Sequence, residues 1–140
     1  MSDKPKIEYS QLEAGYEFSP SRYKLHASTV STYLKAVEDE SRLYQDTNLV
    51  PPTAVAAYAM TALADGICLP PGTIHVSQEF EFMDTVNVND SLISYARVSQ
   101  KQSRGKFQLL VIDFNIFNQN QKAVLAGKTS FILPEQDDRR

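Results

Sequence analysis

The spacing of apolar positions changes near the middle of the chain. From Thr73 onward it is two: Ile74, Val76, Gln78, Phe80 and Phe82 alternate with His75, Ser77, Glu79, Glu81 and Met83. That alternation predicts a strand with one mostly apolar face. Leu92 to Gln100, Phe107 to Phe117 and Lys122 to Leu133 read as three more strands. The links carry turn chemistry: Asn87, Asn89 and Asp90 in the first, Gly105 inside Ser103 to Lys106 in the second, and Asn118 to Gln121 in the third. Before Thr73 the period is helical. Val30, Tyr33, Leu34 and Val37 form one stripe behind Ser28 or Thr29 as N-cap, and Glu38, Asp39 and Glu40 mark the exit. A loop then runs through Tyr44, Asp46 and Asn48 to the pair Pro51 and Pro52.

Thr53 to Ala64 differs from the first helix. It is apolar on every side, opens behind proline and closes before Gly66. Such punctuation is typical of helix ends, and such a helix must be buried all round. Tyr16 to Leu25 reads as a short edge strand interrupted by Pro20. A meander of four antiparallel strands with one apolar face needs a cover, and the slim helix 53–64 supplies it. The expected fold class is therefore α+β, an antiparallel sheet wrapped around a central helix. The expected division is a loose lead-in over 1–15, one domain over 16–134 and a frayed tail over 135–140.

Composition narrows the function classes. At 140 residues and 42% apolar, the chain can build one core. The net charge is -3 with no basic stripe, which argues against a nucleic-acid partner. The single cysteine, Cys68, cannot form an internal disulfide, so a reducing compartment is expected. The first eight residues lack an apolar signal core, and no run approaches the roughly 18 apolar residues of a membrane span. The reading is a cytoplasmic protein with no membrane contact. No His, Cys, Asp and Glu grouping has metal-ligand spacing, and there is no nucleophile elbow or phosphate loop.

Four stretches carry a resemblance: TVSTYLKAVED over Thr29 to Asp39, Pro51 to Thr53, GTIHVSQEFEF over Gly72 to Phe82, and Val88 to Asp90 before a strand. In that order they resemble the MaoC-like hydratase/dehydratase family, closest to its amino-terminal-type halves that lack the catalytic histidine. The resemblance covers Tyr16 to Leu133. It implies the hot-dog fold and (R)-specific addition or removal of water on an acyl thioester. Coenzyme A or acyl carrier protein would be the carrier, with no other cofactor. It also implies a second hot-dog chain as partner, in a homodimer, a higher oligomer or a heterodimer with a catalytic subunit.

Active members pair Asp with His in the pattern D-x4-H. Asp39 matches the aspartate, but five positions on stands Tyr44. A phenol with a pKa near 10 is a poor general base at neutral pH. His75, on the strand face with Ser77 and Glu79, is a further catalytic candidate or a satisfied interface residue. His26 reads as a surface or capping residue. The backbone N–H groups of Thr53, Ala54 and Val55 are candidates for holding the thioester oxygen. Arg97, Lys101, Arg104 and Lys106 would meet coenzyme phosphates, or are simply solvated. Three functions compete: a non-catalytic acyl-thioester-binding subunit; an active enzyme, either a hydratase using Asp39 with Tyr44 or His75 or a hot-dog thioesterase; and a structural or regulatory binder of acyl groups. The thioesterase layout needs a carboxylate on the central helix. The nearest acid is Asp65, past the helix end.

Overall fold

The computed structural model describes residues 6–134. The tail expected at 135–140 and residues 1–5 of the lead-in lie outside the described residues. The elements in chain order are β1 (Ile7–Glu8), a 3-10 turn (Tyr9–Gln11), β2 (Ser21–Lys24), α1 (Ala27–Ala36) and α2 (Arg42–Asp46). There follow α3 (Pro52–Ala64), β3 (Ile67–Cys68), β4 (Ile74–Phe82), β5 (Ser91–Arg104), β6 (Phe107–Phe117) and β7 (Ala123–Pro134). Five strands form one antiparallel sheet in the order β2-β5-β6-β7-β4. This is the α+β hot-dog fold, with α3 against the concave face. No helix among the described residues is long and apolar enough to cross a membrane.

The meander is shorter than the sequence predicts. Only β5, β6 and β7 follow one another. β4 does not pair with β5 but lies at the far edge against β7. The physical reason is the link after β4. It is too long for a tight hairpin, and its Val86 is buried at 4% exposure. The Val50 amide donates to the Val86 carbonyl at 2.8 Å, and the Val88 amide donates to the Asn48 carbonyl at 2.7 Å. The link is thus stitched to the chain just before α3, and β5 begins across the sheet from β4.

α1 begins at Ala27 with His26 in the N-cap position, so neither Ser28 nor Thr29 caps it. The His26 Nδ1 instead lies 3.1 Å from Asn89 Oδ1. α3 starts at Pro52, whose missing N–H costs nothing in the first turn. Ala54, Val55, Ala56 and Ala59 are buried, but Thr53, Ala57, Thr61 and Ala64 are exposed. The helix is therefore covered on one side, not all round, because one chain's sheet wraps only part of it.

A second apolar cluster sits at the other end of the sheet, where Tyr9, Leu12 and Ile67 pack on Val98, Leu110, Ile112 and Leu133. Residues 6–15 are consequently not a loose lead-in. Leu12 is fully buried, and β1 pairs in parallel with β3. Lys101 holds this segment: its Nζ donates to the Leu12 carbonyl at 2.6 Å and the Tyr9 carbonyl at 3.3 Å. It also sits 4.4 Å from the centre of the Tyr9 ring. This ammonium serves the fold and is not free for a coenzyme phosphate.

Candidate functional site

An apolar pocket of about 520 Å³ opens where α2, the start of α3, the end of β4 and the start of β7 meet. That volume lies in the range of small-ligand sites, about 300–1,000 Å³. Its walls include Leu43, Tyr44, Val55, Phe82, Val86 and Leu125. α2 arises locally: Ser41 Oγ accepts from the Leu43 amide, which caps a one-turn helix and turns Tyr44 toward the pocket. Among the described residues the Tyr44 hydroxyl has no hydrogen-bond partner.

The other polar groups are Thr85 and Asp84. Lys122 lies 2.8 Å from Asp84 Oδ2, and the Thr85 amide donates to Oδ1 at 2.8 Å. The hydrogen bond from Lys122, then that from Thr85, holds the Asp84 carboxyl below the usual carboxylate range. An anion held this way is a weak proton acceptor near neutral pH. No histidine lines the pocket. Chemically the arrangement suits burial of a hydrocarbon chain beside one phenol.

Of the candidate catalytic and substrate-binding residues named from the sequence, the structure brings only Tyr44 and Val55 to this pocket. Asp39 does not line it. Its Oδ1 accepts from the Ser41 amide at 2.9 Å, so the carboxylate shapes the turn between α1 and α2, beside Glu38 at φ 57. The amides of Ala54 and Val55 both donate to the Pro51 carbonyl, at 2.9 and 3.3 Å, so neither is spare for a thioester oxygen. Thr53 is exposed, and its Oγ1 accepts from the Tyr33 hydroxyl at 2.7 Å.

His75 lies seven residues along β4 from Phe82, roughly 23 Å at strand rise. A bulge between His75 and Ser77 breaks the alternation and turns His75 away from the Ser77 and Glu79 side. Its Nε2 lies 2.8 Å from the Oγ1 of the fully buried Thr129, and its ring is 5.0 Å from that of Phe131. The hydroxyl thus satisfies the imidazole. Arg97 is opposite Asp113 on the convex face, and an isolated backbone β-bridge pairs it with Glu17. Arg104 bonds Gln102 at the hairpin tip, where Phe107 meets Pro134, the end of the sheet opposite Leu125. Arg97, Lys101, Arg104 and Lys106 therefore do not gather at the pocket. Asp65 forms the C-cap of α3 and borders a different cavity, about 770 Å³, between α3 and β2.

Phe82, Met83 and Leu43 were not anticipated as site residues. Their signal lies in the fold and not in the sequence: three large apolar side chains, 45%, 42% and 49% exposed, line the same pocket.

The chain matches the family model described as "FAS1-like, dehydratase domain region" over residues 13–126. No curated protein matches it. Among solved structures it is similar to the (R)-hydratase PhaJ1 from Pseudomonas aeruginosa, at TM-score 0.77 and 21% identity, covering 94% of this chain and 88% of that one. The MaoC-like dehydratase from Rhodospirillum rubrum gives TM-score 0.73 and 15% identity, with coverage of 94% and 99%. The HadBC (3R)-hydroxyacyl-ACP dehydratase complex from Mycobacterium tuberculosis gives 0.64 and 18%, with coverage of 85% and 96%.

Proposed function

This chain belongs to the FAS1-like dehydratase domain-region family, and we propose from that premise that it binds an acyl thioester as a hot-dog subunit with little or no hydratase activity of its own. One observation carries the reading: Tyr44, which stands five positions after Asp39 where the D-x4-H pattern has histidine, lines the apolar pocket, and no histidine does. Apolar burial, at about 25 cal/mol per Å², supplies the affinity for the acyl chain. Tyr44, as a donor, is placed to meet the thioester carbonyl. Coenzyme A or acyl carrier protein is the carrier.

The edge strand β4 is where a second hot-dog chain joins. Phe82 and Met83 border both that edge and the pocket, so a partner seated there also closes the site. The HadBC structure is itself described as a complex, which accords with this arrangement. The test is direct. The purified chain titrated with a medium-chain 2-enoyl-CoA binds it saturably without adding water. Robust hydration by the isolated chain overturns the non-catalytic reading, and absence of any binding overturns the ligand.

A further inference from the structure

α3 divides the concave side of the sheet in two. The apolar pocket lies toward β4 and β7. The cavity of about 770 Å³ lies toward β2 and β5, and the two share no wall residue. Between them Val55, Ala56 and Ala59 of α3 pack in one core with Phe114 and Ile116. Small side chains on both walls open the cavity: Ala59 and Ala62 from α3, Ser94 and Ala96 from β5. Phe114 leaves the space free because its ring lies over Gly127 on β7. The volume is that of a small-molecule site, about 300–1,000 Å³.

The polar chemistry of the walls follows from strand alternation. Tyr23 is opposite Leu92, which is buried in the core beneath α3, and Ser21 is opposite Ser94. Ser21, Tyr23 and Ser94 therefore face the concave side. Arg22 and Lys24 alternate with them and are exposed, so they border the cavity only at its rim. Asp65 is also exposed, just past the end of α3. The other polar side chains of the cavity are hydroxyls. Those of Tyr23 and Ser94 lie 2.9 Å apart, and among the described residues neither has another side-chain partner. Two hydroxyls bring two O–H donors, and the bond between them uses one. Whichever donates, the pair keeps one donor for an occupant of the cavity.

We propose that this cavity is a second ligand site, separate from the acyl pocket, for an uncharged, ring-bearing molecule whose carbonyl oxygen accepts from the Tyr23 and Ser94 hydroxyl pair. The rings of Tyr16 and Phe18 meet edge to face at 5.1 Å, and with Tyr58 and Phe114 they line the cavity. Aromatic walls of this kind favour stacked or edge-on contact with another ring. Hydroxyl walls supply no counter-ion, and an unpaired charge is costly to bury. Burial raises the Tyr23 phenol above its usual range, which keeps it a neutral donor at physiological pH. The ligand thus differs from an acyl thioester on coenzyme A, whose carrier is polyanionic.

The test is a methyl-labelled NMR titration of the whole chain with acetonaphthone, run with octanoyl-CoA present in excess. Ethylnaphthalene, which lacks the oxygen, and naphthoate, which is an anion, are the comparison ligands. Acetonaphthone shifts Leu25, Ala62 and Leu63 saturably and binds roughly fivefold more tightly than ethylnaphthalene, the scale of one net hydrogen bond. Tyr23→Phe/Ser94→Ala, its folding checked by circular dichroism, abolishes that preference. Should the double variant not fold, Ala62→Phe replaces it. It fills the cavity and removes acetonaphthone binding, while octanoyl-CoA binds as it does to the wild type. No saturable shift at these residues overturns the proposal, as does equal affinity for ketone and hydrocarbon. A preference for naphthoate overturns the uncharged class. Displacement of acetonaphthone by octanoyl-CoA overturns the separateness of the site. So does a folded variant of either kind that binds acetonaphthone as the wild type does. Octanoyl-CoA titrated alone reports on the acyl reading, so failure of one is distinguishable from failure of the other.

Discussion

Gly127 is kept small by Phe114. A Cβ built at Gly127 falls 2.6 Å from Cε2 of that ring, well inside contact distance. The ring lies over the bare backbone of β7 and meets Phe80 edge to face at 5.9 Å. Gly127→Ala therefore destabilises the fold by at least the overpacking range of about 1–3 kcal/mol. Coupling with Phe114→Ala, measured by urea unfolding, should make the double variant less unstable than the sum of the singles.

Tyr44→Ala removes the pocket's one unengaged phenol and part of its wall. A roughly tenfold loss of acyl-CoA affinity is expected, about 1.4 kcal/mol, read by calorimetry. Tyr23 gives a pH signature. Burial raises its phenol above the usual 10.0, against the opposing hydrogen bond with Ser94 at 2.9 Å. The folded state thus favours the neutral phenol. Its contribution to stability is complete below the unfolded value, near 10, and is lost as pH rises through the raised folded value. Tyr23→Phe should flatten the decline of the urea midpoint above about pH 10, partly, because Tyr9 is shifted in the same direction. An unchanged alkaline slope contradicts this assignment.

At the scale of elements, the amino-terminal segment depends on Lys101. Lys101→Met leaves the Leu12 and Tyr9 carbonyls without their charged donor, a loss of about 1.5–3 kcal/mol. Hydrogen exchange should then quicken at Ile7 to Leu12, while β6 stays protected. The sequence made the helices and strands legible because apolar period is local. α3 and the four long strands follow from it, as do the turns at Asn87 to Asp90 and at Gly105. Strand order was not legible. β4 and β7 meet through contacts some fifty residues apart, such as Gln78 with Thr129. A bulge also leaves the sequence pattern of β4 looking regular while moving His75 to the other face. The lead-in misled for a similar reason, since Leu12 is isolated among polar neighbours and is buried only by residues from distant strands.

For the molecule as a whole, the pocket was only half legible. Tyr44 was singled out by its spacing from Asp39, and Val55 by its place at the start of a helix. Their common wall with Phe82, Met83 and Val124 depends on β4 crossing to the sheet edge. The basic side chains read as a phosphate cluster are divided by the fold. Arg97 stands opposite Asp113 on the convex face, Lys101 secures the amino-terminal segment, and Arg104 stays at the hairpin tip. What remains is an apolar pocket at one end of β4, a strand with one side unpaired among the described residues. Its role as an acyl site is tested most directly by a methyl-labelled NMR titration of the whole chain with octanoyl-CoA. The account predicts saturable shifts at Leu43, Leu49, Val55, Val86, Val124 and Leu125, all of which line the pocket. No saturable shift, or shifts confined to the cavity around Ala62, Leu63 and Leu25, would contradict it.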